Sequence, residues 1–73
     1  MTQKQKVMQY LHEFGSITPL DAMREFGIMR LAAVVFDIKN EDGERIATQL
    51  EKSKNRFGEN VIYARYVLER NGE

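Results

Sequence analysis

The apolar residues change period at Gly43, following a helical spacing before it and alternating after it. Past that glycine, Ile46, Thr48 and Leu50 alternate with Ala47, Gln49 and Glu51. Further on, Ile62, Ala64, Tyr66 and Leu68 alternate with Val61, Tyr63, Arg65 and Val67. This pattern predicts two strands, over about residues 45–53 and 61–69. The polar stretch 54–60 between them contains Gly58 and reads as a long hairpin loop rather than a two-residue turn.

Before Gly43 the chain divides at Gly15 and Gly27. Val7, Tyr10, Leu11 and Phe14 fall on one helical face, with Thr2 placed to cap it and Gly15 to end it, which predicts helix 1 over Gln3–Phe14. Ser16-Ile17 is only an extended step. Thr18-Pro19-Leu20-Asp21 is a dense start signal: Thr18 can cap, Pro19 suits the first helical position, and Asp21 can reach back three residues. Helix 2 is therefore expected over Pro19–Phe26. After Gly27, Ile28, Leu31, Ala32, Val35 and Ile38 cluster on one face and predict helix 3 over residues 29–40.

Two helices joined by so short a glycine turn must cross steeply, as in a helix-turn-helix, with helix 1 closing the core. The positions such a unit buries, Ala22, Phe26, Ile28, Ala33 and Phe36, are all apolar, and Ala22 and Ala33 are small enough for close helix approach. A β-hairpin after the third helix is a wing. The expected fold is α+β, a three-helix winged helix-turn-helix with a C-terminal β-hairpin wing, as one domain over residues 1–73.

The runs Ser16-Ile17-Thr18-Pro19-Leu20-Asp21-Ala22, Phe26-Gly27-Ile28-Met29-Arg30-Leu31-Ala32-Ala33 and Phe36-Asp37-Ile38 carry a further signal. With Asn55-Arg56-Phe57-Gly58 and Tyr63-Ala64-Arg65-Tyr66, they make the chain resemble the short winged helix-turn-helix proteins of bacteriophages and prophages. That resemblance implies duplex DNA as partner, with helix 3 in the major groove. It also implies a role such as transcription regulator or excisionase-like accessory factor.

Composition limits the alternatives. At 73 residues the chain buries only about 60% of its unfolded surface, which leaves little room for a catalytic cleft beside a core. With no cysteine there is neither a disulfide nor a thiolate zinc site, which suits a reducing, cytoplasmic setting. No apolar run approaches the roughly 20 residues of a membrane span. His12 has no neighbouring ligand or nucleophile, and Asp37 with Glu41 lacks a third metal ligand at helical spacing. No enzyme activity, cofactor or metal is expected. The 11 basic and 11 acidic side chains cancel, so any affinity for DNA depends on where the basic ones gather.

With Ile28, Leu31 and Val35 turned inward, the other side of helix 3 carries Arg30, Ala33, Asp37 and Asn40, with Val34 and Glu41 on its edge. Arg30 could fork onto guanine and Asn40 could pair with adenine, while Asp37 and Glu41 meet only the cytosine amino group usefully. Lys52, Lys54 and Arg56 form the one local basic cluster, and Ser53 and Asn55 between them can also donate to phosphate oxygens. The helix 2 N-terminus at Thr18 and the side chains of Lys4 and Lys6 are further phosphate candidates. Tyr10, Phe14, Tyr63 and Tyr66 read as packing residues rather than stacking platforms. So few contacts suggest a homodimer or cooperative assembly on DNA. The alternative is a protein-interaction module that meets a host or phage protein with its acidic Asp37 and Glu41 face.

Overall fold

The computed structural model describes residues 1–69. The elements are α1 (Gln3–Phe14), β1 (Ser16–Ile17), α2 (Pro19–Phe26), α3 (Leu31–Glu41), β2 (Ile46–Lys54) and β3 (Asn60–Leu68). Three helices and a three-stranded antiparallel sheet, in the order β1-β3-β2, make an α+β fold.

The first two helices begin and end where their caps predict. Thr2 Oγ1 accepts from the Gln5 amide at 3.1 Å while Gln5 Oε1 accepts from the Thr2 amide at 2.8 Å. Thr18 and Asp21 repeat this exchange at 3.2 and 3.0 Å, so each box satisfies backbone donors that the first turn leaves open. At the far end of α2, Gly27 stands at φ 67°, its amide donating to the Met23 carbonyl and the next amide to that of Ala22. An added Cβ would meet nothing within 4 Å there, so Gly27→Ala carries only the left-handed backbone penalty. We expect a loss of about 1 kcal/mol, read in urea as a lower midpoint at unchanged slope. An unchanged midpoint would mean that the turn tolerates another backbone geometry.

Three features differ from the sequence reading. First, α3 begins at Leu31 rather than residue 29, because Arg30 (φ −120°, ψ 57°) is not helical and serves as an N-cap without a side-chain bond. Ile28 is a buried anchor of the turn, not the first member of a helical stripe. Second, Ser16–Ile17 is a true strand, with Ser16 opposite Val67 and Ile17 opposite Tyr66. A two-residue strand has no period to read, and its partner lies far along the chain. Third, the hairpin runs in continuous register from Ile46↔Leu68 to Lys54↔Asn60, which shortens the loop to residues 55–59.

The core joins Val7 and Leu11 of α1, Ile17, Ala22, Ile28, the α3 residues Leu31, Val34, Val35 and Ile38, and Ile46 and Leu68 from the sheet. Phe26 packs half-buried against it, and its ring meets Tyr10 edge-on at 5.9 Å. Tyr10 also meets the tilted ring of Phe14 at 4.5 Å, but Phe14, expected on the inward face of helix 1, is 64% exposed and lies outside the core. Two expectations for α3 are overturned. Val34, assigned to the edge of the outward face, is 6% exposed, and Phe36, assigned to the core, is 65% exposed. The Val34 outcome follows from the later start of α3, whereas Phe36 is expected inside from the helix-turn-helix positions counted from Gly27, which the observed stripe does not follow. Once Ile28 leaves the helix, the inward stripe is Leu31, Val34, Val35 and Ile38, at i, i+3, i+4 and i+7, and the face turns away from Ala32.

Candidate nucleic-acid interface

At 100° per residue, the outward face of α3 is centred on Phe36, with Ala32, Ala33, Lys39 and Asn40 within about 60° of it. Ala33 is half-buried between the two sides. Asn40 Nδ2 donates to the Phe36 carbonyl at 2.8 Å, which ties its amide to its own helix. Met29, 74% exposed, sits in the turn just ahead. Asp37 lies on the flank and Arg30 at the N-terminal edge. Beside Phe36, Lys39 and Asn40, the outward face borders the sheet at Thr48 and Tyr66 across a shallow cleft.

The wing tip is shaped by one side chain. Asn55 Oδ1 accepts from the amides of Phe57 (2.9 Å) and Glu59 (3.0 Å), and its Nδ2 donates to Glu59 Oε1 at 3.1 Å. The Asn55 amide donates to the Glu59 carbonyl, and the Gly58 amide to that of Asn55, both at 3.0 Å. Asn55, expected as a phosphate donor, is thus engaged in fixing the loop. This loop presents Arg56 and Phe57, the guanidinium standing 5.5 Å over a ring that is 77% exposed. Lys54 Nζ reaches only the Gly58 carbonyl, at 3.4 Å.

The ion pairs divide the surface. Lys4 pairs with Glu41 at 2.7 Å and with Asp42 at 3.5 Å, joining the N-terminal part of α1 to the end of α3, and the Glu41 bond raises the Lys4 pKa. Arg24 is held by Asp21 and Glu25, and Arg65 by Glu51 at 2.9 Å. Among the described residues Arg30, Lys39, Lys52, Lys54 and Arg56 form no ion pair. The pairing therefore neutralises acids on the α1–α3 corner, on α2 and at the sheet; apart from Lys6 on α1, the lysines and arginines named above that it leaves unpaired stand at the start of α3, on α3 and on the wing. Sequence order alone suggested a weak acidic face at Asp37 and Glu41. The structure removes Glu41 from it.

Thr18 is buried, with both its hydroxyl and its amide used in the cap, so the N-terminus of α2 offers little to a phosphate. The residues that sequence reasoning missed on this side are Phe36, Met29 and Phe57. Their apolar character argued for burial or gave no signal, and only the rotation of α3 and the closed geometry of the loop expose them.

Arg65 ties the three strands together, its Nε on Glu51 of β2 and its Nη1 on Ser16 of β1 at 3.0 Å. The Arg65 bond, then the Tyr63 hydroxyl, hold the Glu51 carboxyl below its ordinary pKa. A depressed carboxylate adds stability that is fully present above its unfolded pKa and disappears as pH falls through its folded value. Glu51→Gln should therefore lower stability at neutral pH and flatten the decline on the acid side of the carboxylate range, measured as denaturation midpoint against pH. Parallel wild-type and variant curves would show that the pair is not coupled to folding.

A helix crossing a second helix at a glycine turn, closed by a third and followed by a β-hairpin, is a winged helix-turn-helix. A family model described as "Winged helix-turn-helix domain" matches residues 2–71, and the chain belongs to that family. No curated protein and no solved structure matches it. Membership suggests DNA as a partner. None of the helices in the described residues is long and apolar enough to cross a membrane.

Proposed function

We propose that this protein binds duplex DNA, with the outward face of α3 in the major groove and the wing along the phosphate backbone. The role is binding rather than catalysis, as a phage or prophage regulator or excisionase-like accessory factor. The observation that carries this reading is the set of unpaired cations, Arg30, Lys39, Lys52, Lys54 and Arg56, on the helix and hairpin that a winged helix-turn-helix turns toward DNA. An otherwise neutral chain is thereby locally positive where phosphates would lie.

The molecule measures 39 × 28 × 21 Å, so one copy covers at most about one turn of duplex. With so few phosphate contacts, useful affinity calls for a homodimer or for adjacent copies on the DNA. Titration against a labelled mixed-sequence duplex over a range of salt tests the reading. Three to five phosphate contacts give a slope of log affinity on log salt of roughly −3 to −4.5. Absence of binding at low salt by a folded sample would refute it.

One observation favours a second reading, a protein-interaction module. A groove of about 670 Å³ runs between α2, the turn and the hairpin, and Leu20, Met23, Met29, Val61 and Tyr63 make much of its lining apolar. A host or phage protein could seat an apolar side chain there. In that case Met23→Lys would abolish partner capture without changing the salt-dependent titration.

A further inference from the structure

The outward face of α3 carries few of the polar groups used to read bases, with Lys39 and Asn40 at its sides and an apolar centre. Arg30 stands outside the helix at its N-terminal edge, Asn40 Nδ2 donates to the Phe36 carbonyl, and Asp37 can only accept, from the amino group of cytosine or adenine. At the centre stands an exposed phenyl ring, flanked by the methyl groups of the exposed Ala32 and the half-buried Ala33, with the exposed Met29 just ahead. Such a surface matches one feature of the major groove, the C5-methyl group of a pyrimidine, which thymine carries and which 5-methylcytosine places at the same position. The unpaired Lys39 on one side and Arg30 at the helix start supply positive charge toward the flanking backbones, which suits a polyanionic groove.

Resting on the DNA-binding reading above, we propose that α3 selects its sites by contact with pyrimidine C5-methyl groups, with Phe36 as the central contact and Ala32 and Ala33 permitting the close approach. The wing supplies affinity without regard to sequence, and the phenyl ring supplies preference. Seating one methyl against an apolar surface changes affinity about threefold or more, so several methyls in one site compound to a marked preference.

The test uses the whole chain and duplexes that differ only in the methyl group. One A·T-rich mixed sequence is made with thymine or with uracil throughout, and one G·C-rich sequence with cytosine or 5-methylcytosine. Wild type should bind the methylated member of a pair at least about threefold more tightly; preference in the first pair alone assigns thymine, and in the second alone assigns 5-methylcytosine. Phe36→Ala should erase the difference, and Phe36→Leu should keep most of it. Because Phe36 is exposed, both variants should keep the wild-type denaturation midpoint.

Equal affinity within both pairs would overturn the inference while leaving DNA binding intact. A Phe36→Ala variant that weakens all four duplexes alike, with the methyl ratio preserved, would also overturn it. So would one that leaves DNA affinity and the methyl ratio unchanged but abolishes self-association, which would assign the ring to a protein contact. Failure to bind any of the four duplexes at low salt would refute the DNA reading itself and this inference with it.

Discussion

Reversing the charge at three wing positions, Lys52→Glu, Lys54→Glu and Arg56→Glu together, should lower affinity for duplex DNA by at least about a hundredfold at low salt. It should also reduce the salt slope by about 2.7, the share of three phosphate contacts. All three side chains are exposed, and none is in an ion pair among the described residues, so the change removes cations without breaking a structural bond to an acid. The loop geometry rests on Asn55 and Gly58, which are left in place. A folded variant that loses less than about threefold, with the slope preserved, would show that the wing is a solvated tip.

The second large effect is on stability. Ile38 is fully buried, and Ile38→Ala should cost about 3 to 4 kcal/mol through lost transfer energy and the cavity left behind. For a domain of this size that is a large share of the total. Phe36→Ala removes a larger side chain two residues earlier and should cost less than about 0.5 kcal/mol, since its ring is already in water. The pair tests the rotation of α3 directly by urea denaturation. Similar costs for the two substitutions would place the phenyl ring in the core and undo the description of the outward face.

Much of the fold was legible in the sequence because its signals are local. Thr2 and Thr18 act with residues three positions on, Gly15 and Gly27 end the helices they follow, and alternation along residues 46–68 marks the hairpin. The pairing of Ser16 and Ile17 with Val67 and Tyr66 was not legible, because it depends on contact across the whole chain. The start of α3 misled for a different reason. Ile28 has helical spacing to Leu31 and Val35 and is buried, yet it is buried as part of the turn, and periodicity cannot separate those two situations.

That single ambiguity set the face of the helix, and with it half of the candidate site. Lys52, Lys54 and Arg56 were readable as a cluster because they lie close together in the chain. Asn55 was read as a donor and is instead the residue that shapes the loop. Which acids were already neutralised could not be read at all, since Lys4 meets Glu41 from 37 residues away. The sorting of charge on an overall neutral chain is a tertiary property.

The claim that α3 and the wing share one DNA-facing surface is tested most directly by backbone amide chemical-shift mapping during titration with a mixed-sequence duplex. The account predicts changes concentrated in residues 29–40 and 52–58, with Lys4, Glu41 and Asp42 on the paired corner unaffected. Changes centred on α1, or confined to the groove around Leu20 and Met23, would contradict it.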